Sequence, residues 1–455
     1  GLFKDCEKAV SIGADAKMVL HPDHVEVVNR AFSISKEEKV RLAKKIEGHQ
    51  GGCGLNSSGE FIGPPIAESI KRQIAKKTIE ETKPIDGLIP KVFEYGLDLN
   101  TVRKGQIITC PYELTIDDSW RTTWTTLVAA GDLIETSDTF CKNIGLNSRL
   151  MPFSAILNLT LCMAVEPFSE SCLLHLGLED VIYENPAYSG DTFRCYVLIE
   201  GLRNTSNGKT SVISSKHVLV NQHSQRVLSF KRKTLFPFID DIDVKQLVPE
   251  STKEEDLRQL LLADSASQVK QKINSSKARL LHANRPVNTN DLILHDASRM
   301  VSESENLAFS TLFRNTHPIH FNYLRHSANE IVVCGGFVMS VVLSNALKDF
   351  KQVLDQKIIS CSHINKIGPN DTISSVSFVH ESCIEDGLEV LTIKTIGLRN
   401  VDAAARLNNR QWPKSLFDKE DMRPADIEAL IKKEMPELFH KVCMQILWKI
   451  WRPIA

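Results

Sequence analysis

The sequence predicts an α+β protein in which one unit, a buried apolar helix followed by several antiparallel strands, occurs twice in tandem between about residue 100 and about residue 403. Three observations predict it. The apolar run from Pro152 to Val165 suits a buried helix, and Gly335–Leu347 repeats it. The turn signal Gly190-Asp191-Thr192-Phe193 is echoed roughly 180 residues later by Asn370-Asp371-Thr372-Ile373. Strand-forming Glu389–Ile396 stands where Lys209–Leu219 stands in the first copy. Near-equal offsets across three elements indicate an internal duplication, and at this period they mean two copies of a domain rather than a solenoid.

A single apolar helix wrapped by a curved antiparallel sheet is the hot-dog arrangement, so two tandem hot-dog domains, a double hot dog, are expected. The boundaries read as 1–100, a helical N-terminal extension; 101–240, a degenerate first hot-dog domain that shapes the substrate pocket; 241–284, a helical linker; 285–403, a second hot-dog domain with the candidate active site; and 404–455, a helical C-terminal tail.

In the extension, Ser35 with Glu38 forms a capping box ahead of Val40, Leu42, Ala43 and Ile46, and Ile66, Ile70 and Ile74 recur at helical spacing. Between them lies Gly48-His49-Gln50-Gly51-Gly52-Cys53-Gly54. No Gly-Lys-Ser/Thr follows it and no strand precedes it, so it reads as a flexible connector rather than a phosphate cradle. The first domain opens with Val102–Ile108 and the alternating strand Tyr112–Asp118, whose acidic end suits a helix cap. After the buried helix come strands Cys195–Glu200, Ser211–Val220 and Arg226–Leu235, with turn signals at Gly190-Asp191 and Asn207-Gly208. Asp191 and Asp371 both fall in turns, where a structural role is expected. The linker carries Leu257, Leu260, Leu261 and Val269 on one packed face. In the tail, Pro424 opens a helix with Ile427, Leu430 and Ile431. Leu438, Phe439, Val442, Ile446, Leu447 and Ile450 then read as a second helical stripe. Trp448 and Trp451 beside Lys449 and Arg452 read as a partner-binding face, an interfacial anchor, or a surface docked on the same protein.

Composition excludes some function classes. Lys+Arg 55 against Asp+Glu 56 leaves a formal charge of -1, so there is no global basic field for nucleic acid or an anionic membrane. The longest apolar stretches, Ala155–Val165 and Ile331–Leu343, fall short of the roughly 20 residues that cross a bilayer. Eleven cysteines are scattered without a Cys-x-x-Cys pair or zinc-ligand spacing, so no metal site is expected and free thiols in a reducing compartment are. The chain begins at Gly1 rather than Met, which is compatible with a removed leader.

The segment most suggestive of chemistry is Phe313-Arg314-Asn315-Thr316-His317-Pro318-Ile319-His320-Phe321, followed by Val332-Val333-Cys334-Gly335-Gly336-Phe337-Val338. It resembles the MaoC-like hydratase signature, an Asp-x-Asn-Pro-Ile-His stretch followed by a His-Gly pair at the start of the buried helix. Asn315 falls on the family's aspartate, His317 on its asparagine, His320 on its catalytic histidine, Gly335 on its second histidine and Gly336 on its glycine. Mitochondrial 3-hydroxyacyl-thioester dehydratases are similar in having Asn-x-His-x-Ile-His, and two-domain mesaconyl-CoA hydratases and methylmalyl-CoA dehydratases are similar in layout.

The resemblance implies addition of water to a 2-enoyl thioester, or the reverse. His320 would take a proton from water, Asn315 would orient that water, and the Gly336 amide at the positive end of the buried helix would stabilise the thioester oxygen. His317, Gly335 and Phe321 are the expected substrate-binding residues. No metal or resident cofactor is implied; coenzyme A or acyl carrier protein enters only as the substrate's carrier. The first copy has no Pro-Ile-His around Ser137–Asn143, and no counterpart site is expected there.

Another reading is a catalytically inactive hot-dog protein serving as a structural subunit of a large mitochondrial assembly, because the N- and C-terminal helices suit homodimer or partner contacts. A thioesterase would need a carboxylate from the central helix, and Phe337–Leu347 offers none. The mitochondrial matrix is the expected compartment, with the cytosol as the other.

Overall fold

The structure is a computed structural model that describes the chain except residues 1, 12–13, 15–16, 19–20, 22, 49–53, 77–90, 130, 247–254, 275–276, 279–284 and 455. It divides into two compact units, Gly1–Phe93 and Glu94–Ala455. In the first, helices Leu2–Ser11, Asp23–Ala31, Lys36–Lys45 and Pro64–Ala75 accompany a two-stranded ribbon, Gly54–Leu55 with Phe61–Ile62. The Ser35 hydroxyl accepts the Glu38 amide at 3.1 Å, which caps the third helix as its sequence requires. Ile70 is buried and Ile66 exposed, so the expected isoleucine stripe is covered only in part. Most of the glycine-rich stretch lies outside the described residues.

The second unit starts ahead of the expected boundary because the amides of Gly96 and Leu97 bond to the carbonyls of Glu166 (2.7 Å) and Phe168 (3.3 Å). Its principal strands are β1 Ile107–Thr109, β2 Leu174–Tyr183, β3 Thr192–Asn204, β4 Thr210–Val220, β5 Arg226–Pro237, β6 Leu292–Met300, β7 Asp355–His363, β8 Thr372–Glu385, β9 Leu388–Arg399 and β10 Val442–Pro453, and a short strand, Leu114–Thr115, also pairs with β3. Its principal helices are α1 Asp118–Leu127, α2 Phe153–Met163, α3 Glu303–Leu312, α4 Gly335–Phe350 and α5 Pro424–Glu434. The sheet runs β1-β3-β4-β5-β2-β7-β10-β9-β8-β6, with antiparallel pairing throughout. Each half of that order mirrors the other, and the halves meet where β2 pairs with β7. Buried α2 packs against one half and buried α4 against the other, within a single hydrophobic core. This is a double hot-dog fold.

The duplicated turns confirm the internal repeat in atomic detail. Asp191 accepts the Tyr188 amide at 2.8 Å and Asp371 accepts the Gly368 amide at 2.8 Å, so both aspartates close turns.

The C-terminal segment departs from expectation. Val442–Pro453 is a strand, not a helix, and it completes the second half between β7 and β9 as β5 completes the first. The physical reason is burial on both faces. Met444, Ile446, Trp448 and Ile450 join the main core, while Gln445 on the other face donates to the Met422 carbonyl at 2.7 Å under the excursion that carries α5. With both faces covered, polar alternation is lost and the apolar residues read equally well as a helix. Trp448 is fully buried and donates to Thr395 Oγ1 at 2.8 Å, so it docks on this protein. The outer face of the first half is covered similarly: Leu261, from the helix Glu255–Leu262, is buried against Leu198, Val218 and Val220.

Candidate active site

Helix α3 begins at a full capping box, Ser302 with Glu305, and ends at Arg314, whose φ of 55° turns the chain sharply. That turn delivers Asn315 and the 3-10 turn Pro318–His320. Proline suits the first position of such a turn, and His317 caps it, with Nδ1 accepting the Ile319 amide at 3.3 Å. The His317 and His320 rings lie 5.8 Å apart. His320 Nδ1 is 3.0 Å from the Val332 carbonyl, which can only accept, so Nδ1 carries the proton and Nε2 presents the lone pair. Burial pushes the His320 pKa down to about 4 and also lowers that of His317, so both rings are neutral at physiological pH.

Asn306, from α3, fastens this turn to the start of α4. Its Nδ2 donates to the carbonyls of His320 (2.8 Å) and Val332 (3.3 Å), and its Oδ1 accepts the Cys334 amide at 3.1 Å. Asn315 is buried and turned inward: its Oδ1 accepts the His317 amide at 3.1 Å, and its Nδ2 donates to Cys334 Sγ at 3.4 Å.

The glycine pair shows its use in what a side chain would strike. A β carbon on Gly335 would lie 2.6 Å from His363 Cε1, and one on Gly336 2.0 Å from Asn158 Oδ1. Gly336 therefore permits α4 to cross α2. The Cys162 thiol and the backbone amides at the start of α4 lower the Cys334 thiol pKa.

Of the sequence-predicted residues, Asn315, His317 and His320 share one turn next to the start of α4, and Gly335 and Gly336 form that start. Phe321 closes the turn, its amide bonding to the Pro318 carbonyl at 3.2 Å, and is partly buried. One expected contact is replaced by an internal one: the polar atoms of the Asn315 side chain serve the protein's own groups.

Sequence reasoning missed Asn306, Cys334 and a partly buried row beyond Gly335. There the rings of His363 and His175 stand 5.1 Å apart, and Arg232 donates from Nε to His175 Nδ1 at 2.8 Å. Strand residues distant in sequence carry no local signal of such convergence. In the first half, two acids follow α1: Asp132 and Glu135, both buried. Among the described residues, no group of three or more His, Cys, Asp or Glu side chains is placed to hold a metal ion, and no helix is long and apolar enough to cross a membrane.

No protein-family model matches the chain. It is 22% identical over 308 residues to mesaconyl-CoA hydratase of Cereibacter sphaeroides, covering 66% of this chain and 88% of that protein. It is 23% identical over 280 residues to beta-methylmalyl-CoA dehydratase of Chloroflexus aurantiacus, covering 60% of this chain and 78% of that protein. Among solved structures it is similar to a MaoC domain protein dehydratase from Chloroflexus aurantiacus (TM-score 0.61, 18% identity, 79% of this chain and 98% of that one). It is also similar to a Mycobacterium tuberculosis protein with a double hot-dog fold (TM-score 0.57, 15% identity, 78% and 98%). These likenesses bear out the resemblance to MaoC-like hydratases and dehydratases and the double hot-dog fold.

Proposed function

We propose that the chain hydrates a 2-enoyl thioester or dehydrates a 3-hydroxyacyl thioester, the carrier being coenzyme A or acyl carrier protein, with His320 as the base. The observation that carries the proposal is the fixed tautomer of His320, whose Nδ1 is tied to the Val332 carbonyl so that Nε2 is left as a proton acceptor beside the start of α4. Similarity to two enzymes named for CoA-thioester hydration and dehydration supports the same reaction class. In the hydration direction, Nε2 takes a proton from water as the water oxygen bonds to Cβ, and the imidazolium returns that proton to Cα. Burial makes the imidazolium a strong acid, which suits the return step. His317, Gly335 and Phe321 border the same turn and are the proposed substrate contacts.

A second reading, an inactive hot-dog subunit of a larger, mitochondrial assembly, is favoured by one observation: both polar atoms of the Asn315 side chain are engaged internally rather than turned to a ligand. Hydration of crotonyl-CoA and mesaconyl-CoA by the full chain separates the two. Turnover supports the enzyme, whereas stoichiometric recovery with partner proteins and no turnover supports the subunit.

A further inference from the structure

A cavity of about 720 Å³, the size of a small-molecule site, lies between the end of α1 in the first half and the flank of α4 in the second. Asp132, Glu135 and Ser154 line one wall, and Ser340, Ser344 and Asn345 of α4 line another. The pair stands where the first half should place its counterpart of the Asn315–His320 turn. Helix α1 ends at left-handed Ala129 (φ 51°) as α3 ends at Arg314 (φ 55°), and the acids follow.

Three features mark a ligand site rather than a packing defect. Gln356 is 8% exposed and lines the cavity, yet its Oε1 has no hydrogen-bond partner; the same holds for Gln352 Oε1 and Arg299 Nη1. The backbone at Lys351 adopts φ 48°, ψ 149°, and Gln352 also has positive φ (52°), a strained pair that presents the Val353 amide to Asp132 Oδ1 at 3.1 Å. Finally, exposed Lys348 and Lys351 stand at the rim with Arg299 and one acid, Asp296, giving a cationic mouth over an acid-lined interior.

We infer that this cavity is a second acyl-thioester site, in which the buried Asp132–Glu135 pair faces the thioester carbonyl and Arg299, Lys348 and Lys351 hold the phosphates of the carrier. This rests on the reading of the chain as a thioester-binding protein. Burial raises the Asp132 pKa to about 7, and burial together with the Asp132 charge raises that of Glu135 well above the usual range. The pair therefore holds a proton at neutral pH. A donor for an oxyanion or carbonyl is what such a retained proton provides. Other ionisable groups facing the pair are Tyr183, which raises itself by burial, and Asp355, held up to about 6 by burial.

The test is calorimetric titration of the full chain with butyryl-CoA, a saturated thioester that cannot be hydrated, alongside crotonyl-CoA hydration. Two binding events are expected, one at each site: Ser344→Trp, which fills the cavity, and Gln356→Leu, which removes its unpaired acceptor, each weaken one of them by about tenfold or more, and in His320→Ala that same event keeps a Kd within about twofold of the unaltered chain. Binding also weakens as pH rises from about 6 to about 9, and that slope disappears in the Asp132→Asn, Glu135→Gln double variant. If folded Ser344→Trp and Gln356→Leu bind butyryl-CoA as the unaltered chain does, the inference is overturned while crotonyl-CoA turnover leaves the hydratase reading intact. Neither binding nor turnover in the unaltered chain removes both.

Discussion

Asn158 of α2 and Gly336 of α4 meet where the two buried helices cross, so closely that a β carbon on Gly336 would lie 2.0 Å from Asn158 Oδ1. Asn158 Nδ2 also donates to Ser340 Oγ at 2.9 Å, which makes this crossing a polar tie between the two halves.

Gly336→Ala should therefore destabilise the second unit by about 1–3 kcal/mol through overpacking. Urea unfolding of the single variant and of Gly336→Ala with Asn158→Ala measures it. The double variant should recover part of the loss, and strictly additive effects would mean the two residues do not share this volume.

Trp448→Ala should cost about 3–5 kcal/mol, as removal of a fully buried tryptophan does. Deleting residues 442–455 should abolish cooperative unfolding of the second unit, because β10 lies inside the sheet. A detachable helical tail would leave the unfolding transition where it was.

That strand marks the limit of what the sequence shows. Alternation and turn chemistry made β3, β4, β5, β9 and both buried helices legible, and the Asn315–Phe321 motif located the candidate turn. Lys394 shows why the rest was not: fully buried in β9, it pairs with Asp421 at 2.6 Å, a partner supplied by the excursion before β10. A lysine in an apolar run reads as solvent-facing until its cover is known. Asp132 and Glu135 were likewise hidden, since two acids flanking Leu133-Ile134 look like the start of a surface helix, and their burial depends on a segment distant in sequence, around Val353–Gln356, that lies against them.

Asp132→Asn should stabilise the protein at about pH 8 by a few kcal/mol, with the gain vanishing towards about pH 4. The sign follows from a folded pKa raised to about 7 against an unfolded value of 3.8: the folded state favours the protonated acid, and that advantage is lost as pH rises between the two. Denaturation midpoints across this range would show it. A gain independent of pH would mean Asp132 is ionised in the fold.

The acid limb of kcat/KM for hydration should fall near pH 4 rather than near the ordinary histidine value, because burial keeps His320 neutral down to about 4. A rate profile that bends at about pH 6.5 would show a solvated His320.

Crotonyl-CoA and mesaconyl-CoA hydration by His320→Ala, compared with the unaltered chain at equal folded concentration, tests the proposed base most directly. The predicted result is a loss of about two to four orders of magnitude in kcat on whichever substrate turns over, with the circular dichroism spectrum unchanged. Turnover undiminished in folded His320→Ala would contradict the assignment.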